Sequence, residues 1–309
     1  MNLRQLRYIC EIAKRSLNIS AVAATFNTNQ SGISKQIKLL EDELKTQIFV
    51  RSKNRLTGIT PNGQAIIARA KTIMDEVISI KSECDDVSEN ETGIIVIAVT
   101  NTTARYILPN VIKQFLTIRP GIQISMRHAN PAQLFEMVSS GDADIGMTAN
   151  TPPRMRDLLV IPFRQCQRIL LVPPDHTLLK IKRISLAEIV RYPLVAYEPG
   201  FSTLQDSLTV FEKAKLSPKI AVSAIDADVI KNCVEIGLGV AIVSDVTFDP
   251  KKDIGLRAIP VGHLFEPSTI KIYLSKQRYL RRSIFSFIEL CDARLTRSRI
   301  QQKLASPHI

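Results

Sequence analysis

Three groups of side chains in this sequence have the types and spacing to do chemistry. Gln30, Ser31, Ser34, Lys35 and Lys38 fall within one helical stretch, QSGISKQIKLLEDEL. Amide, hydroxyl and ammonium groups near a helix start are what bonding to base edges and phosphates in a major groove requires. Arg51, Lys53 and Arg55 surround the tip of two short β-type runs, Ile48–Ser52 and Leu56–Ile59. A basic tip of this kind can reach a flanking backbone or minor groove. The third group is hydroxyls at corners where a β-type run yields to a helical one: Thr100, Thr102, Thr103, Thr148 and Ser202. Hydroxyl donors beside free backbone N–H groups at helix starts suit a small anion, and such a site requires no cation. Ser and Thr at helix starts are most often simple caps, so spacing alone leaves both readings open.

Catalytic chemistry finds little support. The four histidines, His128, His176, His263 and His308, show no HxH or HExxH spacing, and GxGxxG, GxxxxGK[ST] and GxSxG are all absent. Asp226 and Asp228 suit a capped helix N-terminus better than a catalytic carboxylate pair. Five dispersed cysteines, with no CxxC and no Cys/His pair at metal-ligand spacing, read as reduced thiols. No metal, cofactor or enzymatic activity is therefore expected.

These groups need elements to hold them. Leu3, Leu6, Ile9, Ile12 and Ala13 mark a first amphipathic helix. Ser20 is expected to cap a second over Ala21–Phe26, and Asn27-Thr28-Asn29 to turn the chain into a third. Ile33, Ile37, Leu40 and Leu44 give that third helix its buried stripe, leaving the polar positions outward. After Pro61, Ile66, Ala70, Ile73, Val77, Ile80, Cys84 and Val87 alternate spacings of four and three. That is a heptad seam, the mark of a dimerising linker helix. Ile67 and Met74 widen it, so the seam should also pack on the head.

Beyond a polar, Gly-ended hinge at 88–93, β-type runs from Ile94–Val99 to Ile270–Leu274 alternate with helical stretches such as Ala104–Thr117 and Leu204–Lys215. This argues for an open α/β architecture, whose ligands bind at the carboxyl ends of strands. Charge is uneven: residues 1–60 carry ten Lys/Arg against four Asp/Glu, and residues 276–309 eight against two. The net +12 therefore sits at the two ends. A basic head suits a polyanion; for the basic tail (Arg294, Arg297, Arg299, Lys303), DNA, a neighbouring subunit and plain solvent all remain open. No apolar run is long enough for a transmembrane helix, and the charged N-terminus lacks a signal-peptide core. A cytoplasmic protein is the expectation.

The stretch from Leu3 to Ile67 resembles the DNA-binding region of LysR-type transcriptional regulators. The Ala23-Ala24 pair, Gln30-Ser31-x-Ile33-Ser34, Leu40-Glu41 with Leu44, Phe49-x-Arg51 and Thr60-Pro61-x-Gly63 carry that resemblance. Within the family the chain is similar to the CysB/Cbl subgroup, on Thr102-x-Ala104-Arg105-Tyr106-x-Leu108-Pro109, Gly141-x-Ala143-Asp144 and Asp226-Ala227-Asp228-Val229-Ile230-Lys231, among other stretches. The resemblance implies an α/β protein with an N-terminal all-α winged helix-turn-helix. A long linker helix would join it to a two-subdomain effector domain like the periplasmic solute-binding proteins.

The expected boundaries are a DNA-binding domain at 1–60, a linker helix at 61–87, a hinge at 88–93 and an effector domain at 94–309. Within the last, one subdomain takes about 94–163 and 268–293, and the other about 164–267. The subgroup controls sulfur assimilation and cysteine synthesis, with sulfate, related anions or acetylserine-type metabolites in the cleft. Thr100 and Thr102 match its hydroxyl positions. Thr103 stands where those relatives usually have Gln, Ser202 where they have Thr, and the hydroxyl at Thr148 is displaced, with Ala149 following. The implied partners are a roughly palindromic double-stranded operator, a small anionic effector, a second copy forming a dimer and then a tetramer, and RNA polymerase. The alternatives are a regulator answering to a carboxylate, a ligand-blind repressor and, last, an α/β enzyme.

Overall fold

A computed structural model of the chain describes residues 1–52, 55–85, 92–152 and 157–305. The chain divides into two compact units, Met1–Ser88 and Glu89–Ile309.

In the first unit, helix α1 (Leu3–Lys14) starts at a capping box, with Asn2 and Gln5 each accepting from the other's backbone N–H. Helix α2 (Ile19–Thr25) is capped by Asn18, not by Ser20. The Asn18 amide oxygen accepts from the N–H of Ala21, and the helix begins two residues earlier than the sequence signals suggest; Ser20 donates instead to Gln30 Oε1 at 3.1 Å. Asn27 then takes a left-handed φ of 46°, which makes the tight bend into α3 (Gln30–Glu43). Strands β1 (Phe49–Ser52) and β2 (Arg55–Ile59) form an antiparallel wing. Helix α4 (Pro61–Asp85) leaves it past Gly63, where a Cβ would lie 2.1 Å from the Ile48 carbonyl oxygen. Ile9, Ile12, Val22, Ile33, Ile37, Leu40 and Phe49 form the core, and Ile67 and Ala70 of α4 complete it.

The second unit has two lobes. In the first, β3 (Gly93–Val99) leads to α5 (Asn101–Tyr106), α6 (Leu108–Ile118), β4 (Ile122–His128), α7 (Pro131–Ser140), β5 (Ile145–Thr148) and β6 (Leu158–Cys166). One helix over Ala104–Thr117 was the expectation. Instead the chain breaks at Ile107, and Pro109 starts α6 in the first-turn position that tolerates a missing N–H.

The chain crosses to the second lobe between Cys166 and Arg168. There it builds β7 (Arg168–Val172), α8 (Leu186–Ile189), β8 (Leu194–Tyr197), α9 (Ser202–Lys213), β9 (Ile220–Ala224), α10 (Ala227–Glu235), β10 (Ala241–Ser244) and β11 (Arg257–Pro260). It returns in β12 (Ser268–Ser275), followed by α11 (Arg282–Cys291) and α12 (Arg297–Ala305).

The first lobe's sheet has the order β4-β3-β5-β12-β6, with β3 parallel to both neighbours and β12 antiparallel to both of its own. The second lobe holds an antiparallel trio, β10-β7-β11, and a parallel pair, β8-β9. Strand β6 contains Pro162, a residue that argues against a strand. It is an edge strand with a register shift opposite Ile270/Lys271, the setting in which a sheet accepts Pro. Among the described residues no helix is long and apolar enough to cross a membrane.

Candidate functional site

The polar start of α3 is presented as its periodicity requires. Ile33, Ile37 and Leu40 are buried, while Gln30, Ser31, Lys35 and Lys38 are exposed and Ser34 is half-buried. Asn29 caps the helix through Gly32 N–H at 2.7 Å and also takes the Ser31 hydroxyl at 3.1 Å. In the wing, Arg55 is exposed and Lys53 lies outside the described residues. Arg51 is already engaged: its Nη2 donates to Glu41 Oε2 at 3.0 Å. Glu41, only 8% exposed, also accepts the Ile48 and Phe49 backbone N–H groups at 2.9 and 3.1 Å. The carboxylate thus ties the end of α3 to the first wing strand, a role its place in an ordinary charged helix pattern does not reveal.

Between the lobes of the second unit lies a small cleft, and all five hydroxyl positions line it. Thr100, Thr102 and Thr103 come from the start of α5, Thr148 from the end of β5, and Ser202 from the start of α9. The cap-only alternative fails for two of them. Thr100 occupies the cap position but makes no side-chain capping bond, and Ser202 lies inside α9, whose cap residue, Phe201, has no such bond to make. Thr148 is buried and exchanges hydrogen bonds with Asn150, at 3.2 Å from its N–H and 3.4 Å to its Oδ1. Asn150 Nδ2 in turn donates to the Gly200 carbonyl at 3.0 Å, crossing from one lobe to the other. Thr102 and Tyr197 both line the cleft, and burial holds the Tyr197 phenol above its ordinary value.

Asn150, Tyr197, Ser244 and Arg168 are among the cleft residues that escape the sequence reading. Tyr197 is hidden inside an apolar strand, and Ser244 ends another. Arg168 opens β7, is 2% exposed, and lines the cleft, so a cation stands in a site for which none seemed required. Its position at the head of Arg-Ile-Leu-Leu-Val was the available signal, since an arginine in a fully buried strand needs a partner.

Behind the cleft the lobes share a polar knot. Tyr106 donates to Asp228 Oδ1 at 2.6 Å, Arg105 approaches Asp228 Oδ2 at 2.5 Å, and Lys231 Nζ reaches Asp228 and Asp253 at 3.0 Å each. Asp226 does cap α10, as its sequence context indicates, whereas Asp228 serves this junction. Among the described residues no cluster of three or more His, Cys, Asp or Glu is placed to hold a metal ion.

The basic tail is partly accounted for: Ile300 of α12 is buried in the first lobe's core, Arg294 pairs with Asp292 at 2.8 Å, and Arg297 lies over Phe285.

A winged helix-turn-helix joined to a two-lobed α/β domain with a polar interlobe cleft defines the class, a DNA-binding transcription regulator with an effector-binding domain. The chain belongs to the LysR family. Residues 3–64 match the bacterial regulatory helix-turn-helix protein, lysR family, and residues 88–296 match the LysR substrate binding domain. It is 38% identical over 304 residues to the HTH-type transcriptional regulator CysB of Burkholderia cenocepacia, covering 98% of this chain and 97% of that protein. It is 35% identical over 300 residues to the HTH-type transcriptional regulator SsuR of the same organism, covering 97% of each. Its fold matches the crystal structure of the cofactor-binding domain of the Cbl transcriptional regulator with a TM-score of 0.67 at 30% identity, over 71% of this chain and 96% of that one. These relatives are named as regulators, and the chain is a regulator rather than an enzyme.

Proposed function

We propose that this regulator senses a small anion, sulfate or a related sulfur metabolite, in the interlobe cleft, and controls genes of sulfur and cysteine metabolism. The observation that carries the reading is the set of hydroxyls of Thr100, Thr102, Thr103, Thr148 and Ser202 converging on one cleft, with no capping bond at Thr100. Hydroxyl donors and the start of α9 favour negative charge there. Kinship with CysB, SsuR and Cbl supports the sulfur reading.

On the DNA side, Gln30, Ser31, Ser34 and Lys35 face the major groove, and Lys38, further along the same helix, meets the phosphates beside it. Lys53 and Arg55 of the wing contact the flanking backbone, and Arg51 contributes chiefly by holding the wing to Glu41. Two heads joined through α4 bind half-sites of a roughly palindromic operator, two dimers form a tetramer, and the assembly acts in the cytoplasm together with RNA polymerase. The effector shifts this assembly only through its unequal affinity for two arrangements of the lobes.

The test is a thermal-shift screen of the full chain against sulfate, thiosulfate, acetylserine, alkyl sulfonates and aromatic carboxylates. A ligand at about a hundred times its Kd adds about 2.7 kcal/mol, a shift of several degrees. A shift with a sulfur anion that disappears in Thr100→Ala and Thr102→Ala supports the reading. A shift with a carboxylate alone removes the sulfur assignment, and no shift with any of them removes the anion.

A further inference from the structure

The cleft holds one buried positive charge that the protein itself only half neutralises. Arg168 Nη1 donates to Thr203 Oγ1 at 2.9 Å, and Nη2 reaches Asp206 Oδ2 at 3.3 Å. The Asp206 side chain is 62% exposed, so water shares most of that carboxylate and weakens its hold on the guanidinium. Burial pushes the Arg168 guanidinium below its ordinary value, and the Asp206 charge works against that without overcoming it.

The same guanidinium meets the first turn of α9 through Thr203, so the positive end of a twelve-residue helix lies against a buried cation. Two fields of one sign therefore face the cleft from a single wall. A separate observation points the same way. Ser244, 8% exposed and lining the cleft, has a hydroxyl oxygen with no hydrogen-bond partner among the described residues, although it lies beside the Cys166 thiol. Buried hydroxyls left without a partner are uncommon, because each forfeits its hydrogen bond to water.

We propose that Arg168 is the charge partner of the effector's anionic head, with Ser244 as an added donor, and that Asp206 is a built-in competitor for the same guanidinium. The proposal rests on the anion-cleft reading and narrows it. The effector's head must carry a full negative charge, as a sulfate, sulfonate or carboxylate does; an uncharged group of equal shape would leave Arg168 as it is. Asp206 sets the affinity from outside the cleft: each effector must take over a counter-ion's place, which weakens binding in proportion to how well Asp206 performs. A purely supporting Asp206 would have the opposite effect, because removing a support loosens the residue it holds.

The experiment is calorimetric titration of the full chain, at fixed ionic strength, with sulfate, methanesulfonate and acetate, and with methanesulfonamide and acetamide as uncharged counterparts. Asp206→Asn should bind the anions about two- to fivefold more tightly, the range set by an ion pair whose carboxylate lies largely in water. Arg168→Gln should lose more than about tenfold and no longer separate anion from uncharged counterpart, the loss expected for a hydrogen bond to a charged group. Should Arg168→Gln fail to fold, Asp206→Asn decides alone, since its side chain is on the surface. Equal or weaker anion binding by Asp206→Asn, with wild-type binding intact, overturns the competition and leaves the anion cleft standing. Absence of binding by every anion to the wild type overturns the cleft reading itself, and this proposal with it.

Discussion

The Tyr106 phenol and the Asp228 carboxylate are joined at 2.6 Å, and they belong to different lobes: Tyr106 ends α5, whose start lines the cleft, and Asp228 lies in the first turn of α10. Any movement of α5 relative to the second lobe must therefore strain or break this bond. Tyr106→Phe should lower stability by about 1 kcal/mol, the net worth of one hydrogen bond, measured by denaturant unfolding of the full chain. A change in effector affinity without a matching change in stability would show that the bond also biases lobe closure.

The same pair predicts a pH profile. Burial raises the Asp228 carboxyl, but Tyr106, Lys231 and Arg105 outweigh it and hold the group below its ordinary value. A depressed carboxyl contributes its stability above the unfolded value and loses it as pH falls through the folded one. Asp228→Asn should therefore be less stable than wild type at neutral pH, with the gap closing as pH falls below about 4. At the other end, burial and the Asp228 bond push Tyr106 up to about 12. Its contribution is complete below the ordinary tyrosine value and fades as pH rises through about 12. A gap of constant size across the acid range would remove Asp228 from the junction's energetics.

Glu41 supports a prediction about the head. Its carboxylate accepts two backbone N–H groups and the Arg51 guanidinium from a position 8% exposed. Glu41→Ala strands those donors and should cost about 3 kcal/mol, while Arg51→Ala, which leaves the two N–H bonds intact, should cost about 1 kcal/mol or less. Reversing that order in thermal unfolding would place the weight on the surface ion pair instead.

Local signals account for what was legible in the sequence. The head could be read because Ile33, Ile37 and Leu40 repeat at helical spacing, Asn27 favours a left-handed turn, and Pro61 opens a helix. Four of the five cleft hydroxyls could be read because they fall at strand-to-helix corners; Thr148 closes β5, and the next element is β6, not a helix. Tyr197 and Ser244 could not be read, since each lies within or at the end of an apolar strand and is brought to the cleft only by the fold, while Arg168 gave only the signal of a charge heading an apolar strand. Strand β6 contains Pro162, which argues against a strand, and the helix break at Ile107 was concealed by an apolar stripe that runs on through α6. Local propensity carries no information on which edge a strand occupies or which lobe follows a turn.

DNA binding through α3 and the wing should appear as salt dependence. Replacing Lys38 or Arg55, both exposed, with Ala should weaken binding to all sequences alike and reduce the slope of log affinity against log salt by about 0.9 for each phosphate no longer neutralised. Gln30→Ala should act differently, relaxing preference at particular base pairs with little change in slope. Gel-shift titrations at several salt concentrations, on the operator and on unrelated DNA, separate the two. A base-specific loss of affinity for Lys38→Ala or Arg55→Ala would contradict the assignment of these residues to the backbone.

Burial divides the heptad positions of α4 between two tasks. Ala70 is 1% exposed and Ile67 6%, and both are packed into the head's own core. Ile73 and Ile80, on the same seam, are 40% and 62% exposed. A charge at Ala70 would therefore unfold the head and say nothing about assembly. Ile73→Asp and Ile80→Asp place a charge where only a partner helix would bury it, so they should leave the unfolding midpoint of the head within about a degree while halving the mass in solution. The energetics favour this, because an aspartate on an open helix face costs little, whereas one in a heptad seam must be desolvated opposite another apolar side chain. Analytical ultracentrifugation of the double variant decides the matter. Retention of the wild-type mass would move the dimer interface away from α4, and loss of mass together with loss of head stability would show that the exposed seam is part of the head's own packing.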